Sequence, residues 1–316
     1  MWGMALFFFK KDDRKNNFLY YWLVDSYTGI SQKSHSKYIK YVLRFFKNWS
    51  VNYDWLNYIN KTEQHKRWKN YSGCDFWSKV QYPYLSLKFD KNMQLIILKQ
   101  HYDWVFKHFR EDFYYNEIKL FSNIFTDMLE QESLVEVTVK FKSPFEYEGE
   151  MSMFMKVNGE IQYTLTFMYV LKDGIPSLFI GGLQAGKQNV TNLDGLKVLT
   201  KTMFGLRPKQ FILQSLSVFS EQMNIDQIIA ISNENHVFSK VQRRWSKKQI
   251  KTSLNSFWEE FDAKKTEQGN YIFKPLSSQI DIEAIASKKR SQYKKRQLIL
   301  DDLMVQIEQN MAVIKQ

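Results

Sequence analysis

Between Ser36 and Glu130 apolar residues recur at helical spacing. YIKYVLRFFKNW and LIILKQHYDWVFKHF each place bulky side chains on an i, i+3, i+4, i+7 stripe, which predicts helices with aromatic faces. Such faces suit a core, or a groove for an apolar ligand. GCDFWSKVQYPYLSL lies between them, carries Pro83 and reads as a connector. After Glu132 the period falls to two: SLVEVTVKF alternates Val135, Val137 and Val139 with polar neighbours, as a half-buried strand does. GEMSMFMKVNGEIQYTLTFMYVLKDGIPSLFIGG supplies three more strands. Asn158-Gly159 and Asp173-Gly174 divide them at positions suited to tight hairpin turns. An antiparallel meander of four strands follows, its last strand ending at Gly181.

The period then returns to helical. Asp194 to Phe204 predicts a short helix that Gly205 ends, and a second helix starts with Pro208 in its first turn. Phe211, Leu216, Phe219 and Met223 share its apolar face. DQIIAIS is short and fully apolar, as a strand inside a sheet is. NENHVFSKVQRRW reads as loop then helix, NSFWEEFDAKKTEQGNYIFKPL as strand–turn–strand, and a basic helix running into ILDDLMVQIEQNM closes the chain. The fold class expected is α+β, with a mainly helical, aromatic-rich region over residues 1–131 and a mixed sheet with flanking helices over 132–316.

From Leu134 the order is β-β-β-β-loop-α-β-α-β-β, which resembles the GNAT acyltransferase fold. That likeness implies two strands parting around the pantetheine arm of an acyl carrier, with its pyrophosphate on backbone amides at a helix start. IGGLQAGKQN stands where that loop would be. Glycines leave amides unobstructed, and a helix N-terminus favours an anion, so Ile180, Gly181, Gly182, Gln184, Gly186 and Lys187 are the candidate cofactor-binding residues. Gln184-Ala185-Gly186-Lys187 departs from the usual GNAT loop, and a plain tight turn explains the glycines as well. For acyl transfer, amides near Ile180–Gly182 would hold the thioester oxyanion. His236, just past the strand IIAIS, is the candidate base, because its ordinary pKa lies nearest neutrality. Asn233 and Asn235 would orient it or the acceptor, and Glu234 is the alternative base. The structural alternative makes His236 a helix-start residue and Asn233 an N-cap. Arg207, beside Pro208, is either an anion clamp or one half of an ion pair.

Charge narrows the partners. The 316 residues carry a formal net charge of +12, concentrated in SKVQRRWSKKQIK and SKKRSQYKKR, which contain no acid. An acidic partner is implied: an acyl carrier protein, a phosphorylated cofactor or an anionic lipid surface. Arg243, Arg244, Lys247 and Lys248 form a candidate docking patch for the carrier, and coenzyme A would need fewer charges. Trp245 and Tyr293 lie among the basic residues, but no RRM, KH or helix-turn-helix signature accompanies them, which sets nucleic acid aside. The lone Cys74 excludes an internal disulfide and reads as a structural thiol. The five histidines lack zinc-site spacing, so no metal is expected. Trp2–Phe9 is too short to span a bilayer and lacks signal-peptide flanks, so a cytoplasmic protein is expected, with any membrane contact peripheral at the inner membrane.

Five segments carry a more specific likeness: GGLQAG, LTKTMFGLRPKQFILQSL, IIAISNENHVF, FWEEF and IASKKRSQYKKRQLILDDL. Over roughly Leu134 to Leu303 the chain resembles the VirK/YbjX family, of DUF535 type, from Gram-negative bacteria. Looser similarity surrounds LKQHYDWV. Family members usually read GGLQG, so Ala185 is an insertion. The resemblance implies a virulence-associated protein with a role in surface-protein display or antimicrobial-peptide resistance. Two functions follow as expectations. One is transfer of an acyl group from coenzyme A or acyl carrier protein to a peptide, protein or lipid. The other is a non-enzymatic accessory role at the membrane surface.

Overall fold

The computed structural model describes residues 35–72, 74–127, 130–186, 193–239 and 254–316. The Trp2–Phe9 run, Lys187 and the patch Arg243, Arg244, Lys247 and Lys248 lie outside the described residues, as does the side chain of Cys74. Two compact units are present: residues 1–83 with 91–95, and residues 84–90 with 96–316.

The first unit is helical. It contains α1 (His35–Lys47), α2 (Trp49–Ile59), α3 (Glu63–Ser72) and the single turn α4 (Cys74–Trp77). Tyr41, Phe45, Trp55, Ile59, Trp68 and Phe76 are buried, so the aromatic stripe is core. Trp55 Nε1 donates to the Phe76 carbonyl (2.9 Å), which satisfies the polar end of a fully buried indole.

The second unit is built on an eight-stranded sheet. Its strands are β1 (Glu117–Thr126), β2 (Glu132–Lys140), β3 (Met151–Val157), β4 (Glu160–Lys172), β5 (Ile175–Ala185), β6 (Ile228–Ala230), β7 (Lys264–Lys265) and β8 (Tyr271–Phe273). They lie side by side in the order β1-β2-β3-β4-β5-β6-β8-β7, antiparallel except for the parallel pair β5–β6. Asn158 and Gly159, and Asp173 and Gly174, all have positive φ, which the tight β3–β4 and β4–β5 turns require. The helices are α5 (Lys91–His108), α6 (Leu193–Thr202), α7 (Pro208–Gln222), α8 (Leu254–Glu259) and α9 (Ser287–Ile314). Residues 91–95 of α5 belong to the first unit and the rest to the second. Helix α7 packs on β3 and β4, with Phe219 edge-on to Phe167 (5.6 Å). Helix α9 covers α7 and β1, and Asn310 Nδ2 donates to the Leu120 carbonyl (3.1 Å).

Four readings need correction. Glu117–Thr126 falls in the stretch read as helical but is strand β1; a register shift between Lys119 and Phe121 puts neighbouring residues Leu120 and Phe121 both in the core and hides the alternation. The boundary at 131/132 therefore cuts between two strands paired from Glu117↔Lys140 to Thr126↔Glu132. Strand β5 does not stop at Gly181 but continues to Ala185, held by β4. Residues Leu254–Glu259 form helix α8 rather than a strand, burying Leu254, Phe257 and Trp258 on one side. Among the described residues, no helix is long and apolar enough to cross a membrane.

Candidate functional site

Strands β5 and β6 pair only briefly. Their register runs from Leu178↔Ile228 to Ile180↔Ala230, and the Ile231 amide closes it by donating to the Ile180 carbonyl (2.9 Å). Strand β5 then continues alongside β4 while the chain after β6 turns away through Ser232–Phe238. The β4–β5 register jumps from Phe167↔Ile180 to Thr166↔Gly182, so Gly181 is the extra residue of a β-bulge at the point of divergence.

A carboxylate lies at that point. The β2–β3 connection folds back onto the sheet and presents Glu148, which is fully buried. Its amide donates to the Phe145 carbonyl (2.9 Å), and the Ser143 amide to the Glu150 carbonyl (2.8 Å). A Cβ at Gly181 would strike the Glu148 carbonyl group, and one at Gly182 would strike the Glu148 carboxylate. The glycine pair is there to admit Glu148.

Glu148 Oε1 accepts from Gln184 Nε2 (2.8 Å) and lies 3.3 Å from His236 Nε2. His236 is 3% exposed. Its Nδ1 accepts the Phe238 amide (3.3 Å), which leaves the ring proton on Nε2, directed at Glu148. Glu148 Oε2 is buried and has no hydrogen-bond partner among the described residues. One oxygen is thus held by two donors, and the other is packed against Gly182 with no donor among the described residues.

A second buried carboxylate stands two residues on. Glu150 accepts from Tyr84 Oη (2.5 Å) and from Tyr102 Oη. Burial, and then the Glu150 charge, hold the Tyr84 phenol well above its ordinary pKa, so Tyr84 remains a donor. The 84–90 segment ties the parts together: the Leu85 amide donates to the Tyr147 carbonyl and the Leu87 amide to the Asn235 carbonyl (both 2.8 Å). Leu85, fully buried, adopts φ +61° to do so.

His236, Gly181, Gly182 and Gln184 meet around Glu148. Ile180 is fully buried in the sheet one residue before the bulge. The Gly186 amide donates to the Gln162 carbonyl (2.8 Å), and a Cβ there would strike the Ile161 carbonyl; Gly186 continues the sheet. The described part of this stretch is therefore strand rather than loop, and Lys187 lies outside the described residues. Asn233 accepts the Leu254 amide at Oδ1 (2.9 Å), and Glu234, exposed, accepts from Asn255 Nδ2 (2.9 Å). Asn235 Nδ2 donates to the Gln268 carbonyl (2.7 Å) and to Asn270 Oδ1 (2.9 Å). Their side chains fasten the loop after β6. Arg207 pairs with Glu260, both about half exposed. Nothing local marks Glu148; FEYEGEM is an ordinary acidic turn until the sheet folds beneath it.

The structure defines an α+β protein with a carboxylate–imidazole pair buried where a single parallel strand pair opens. The chain belongs to the DUF535 family, described as a protein of unknown function, which matches residues 31–309. It is 27% identical over 231 residues, 71% of this chain and 68% of the relative, to "Uncharacterized protein YbjX" of Escherichia coli strain K12. That match agrees with the VirK/YbjX likeness carried by the motifs. Two relatives from Haemophilus influenzae, each named "Uncharacterized protein", are 27% and 25% identical over 54% and 59% of this chain, which spans 54% and 61% of their lengths. No solved structure matches the chain.

Proposed function

We propose that the chain transfers an acyl group from coenzyme A or an acyl carrier protein to an amine acceptor on a peptide, protein or lipid, with Glu148 as the general base. The observation that carries this reading is the Glu148–His236 pair, buried where β5 and β6 diverge, with Glu148 Oε2 left without a donor among the described residues. The strand order and the bulge at Gly181 support it by their GNAT-like arrangement, which is an argument from analogy of topology. Glu148 Oε2 takes the proton from the attacking amine while Gln184 and the His236 Nε2–H hold Oε1. His236 is thus a positioning residue rather than the base. Calorimetric titration with coenzyme A, acetyl coenzyme A and an acyl carrier protein tests the donor; saturable heat from at least one is expected, and none from any of them overturns the reading.

A second reading, an accessory protein resting on an anionic membrane surface, is favoured by a separate observation. The first turns of α9 are solvent-exposed and carry Lys288, Lys289 and Lys294.

A further inference from the structure

The segment Tyr84–Asp90 forms neither helix nor strand, yet Tyr84, Leu85 and Ser86 are fully buried. Two of its amides reach outward, each over 2.8 Å. Leu85 donates to the carbonyl of Tyr147, the residue before Glu148, and Leu87 to the carbonyl of Asn235, the residue before His236. The segment is therefore stitched to the backbone on each side of the 3.3 Å Glu148–His236 contact. Leu85 also covers the bulge: its Cδ1 lies 2.9 Å from the point where a Cβ of Gly181 would stand. Tyr84 Oη anchors one end by donating to Glu150 Oε1 (2.5 Å), and Phe89 the other, edge-on to Phe179 of β5 (5.7 Å). The Ser86 amide donates to the Tyr84 carbonyl (2.7 Å) and the Phe89 amide to the Ser86 carbonyl (3.2 Å), so the segment keeps its own shape.

We propose that Tyr84–Asp90 is a strap that gates the Glu148 site, an inference that rests on Glu148 being the working group. Seated, the strap fixes the connections that carry Glu148 and His236 and shuts both side chains from water. Lifted, it frees those connections and opens the divergence of β5 and β6 to a ligand. Two observations point to movement here. Glu148 is fully buried and His236 is 3% exposed, so a ligand reaches the pair only after a covering part has moved. Leu85 holds φ +61°, a conformation leucine rarely adopts, and lifting releases that strain. Few bonds oppose the step: two outward amides and the Tyr84 hydroxyl, against the continuous ladder that joins β4 to β5.

Native-state hydrogen exchange on the full chain tests the strap without any acyl donor, so a failure to bind coenzyme A would sink the transfer reaction and leave the strap standing. The Leu85 and Leu87 amides are expected to exchange about 100-fold faster than those of Leu178 and Ile231, through an opening that low urea does not accelerate. Modification by diethyl pyrocarbonate follows His236. Tyr84→Phe and Phe89→Ala each loosen one end of the strap and should speed that modification severalfold, with the rate at His108 and exchange across β4–β5 unchanged. Where a variant fails to fold, exchange in the parent chain decides. Leu85 and Leu87 amides protected as strongly as those of Leu178 and Ile231, or His236 modified no faster in folded Y84F and F89A than in the parent chain, overturns the proposal.

Discussion

Replacing Gly182 with alanine tests the geometry of the site directly. Gly182 has ordinary strand φ, so alanine strains no backbone; its Cβ would instead occupy the space of the Glu148 carboxylate. The carboxylate must move, losing the 2.8 Å bond from Gln184 and the 3.3 Å contact with His236 while remaining buried. Hydrogen bonds to a charged acceptor contribute about 1.5–3 kcal/mol each, and the His236 contact is long, so Gly182→Ala should cost about 3 kcal/mol. Urea unfolding followed by tryptophan fluorescence measures this in the parent chain and in Glu148→Ala. With the carboxylate gone, the same alanine should cost less than about 1 kcal/mol, a coupling well above the ~0.5 kcal/mol scatter expected of independent sites. Gly181→Ala is the control, because its Cβ meets the Glu148 backbone and Leu85, which Glu148→Ala leaves in place. Its cost should be the same in both backgrounds. If Gly182→Ala and Glu148→Ala are additive, the carboxylate does not sit on Gly182 and the site as described is wrong.

Two further outcomes follow from other parts of the structure. Tyr84 keeps its proton in the folded chain to well above the ordinary tyrosine pKa of about 10, so the unfolded state binds fewer protons there and stability must fall as pH rises past that value. Tyr84→Phe should flatten this alkaline decline in urea midpoints between pH 9 and pH 11, though Tyr271, raised to about 12, retains part of it; an unchanged slope would contradict the assignment. On vesicles containing phosphatidylserine, K288E/K289E/K294E should reduce co-sedimentation by on the order of 3 kcal/mol at low salt, at roughly 1 kcal/mol per lysine. Equal binding by parent and variant would rule out α9 as the contact.

The parts of the fold legible in the sequence were those set by local chemistry. Asn158-Gly159 and Asp173-Gly174 mark their hairpins because the turns need positive φ, and Pro208 marks the start of α7 because it needs no amide partner there. Strand β1 was hidden by its bulge, and α8 because six residues are too few to establish a period. At the site, IIAIS–NENH places His236 just past a buried strand, but the glycine pair does not say what approaches it. A missing Cβ can mean close approach by a ligand or by the chain's own backbone and side chain, and only the tertiary fold identifies Glu148 as the neighbour. Glu148 and Gln184 lie far apart in sequence and are joined by the sheet, so neither segment alone shows the pair.

The most direct test of Glu148 as the base is a transfer assay with labelled acetyl coenzyme A and a panel of peptide and polyamine acceptors, run on the parent chain and Glu148→Gln at matched donor occupancy. The account predicts product from the parent chain and a rate at least about 100-fold lower in the variant, with donor affinity retained. Equal rates in the two, or a parent chain that binds donor yet acylates nothing on the panel, would contradict it.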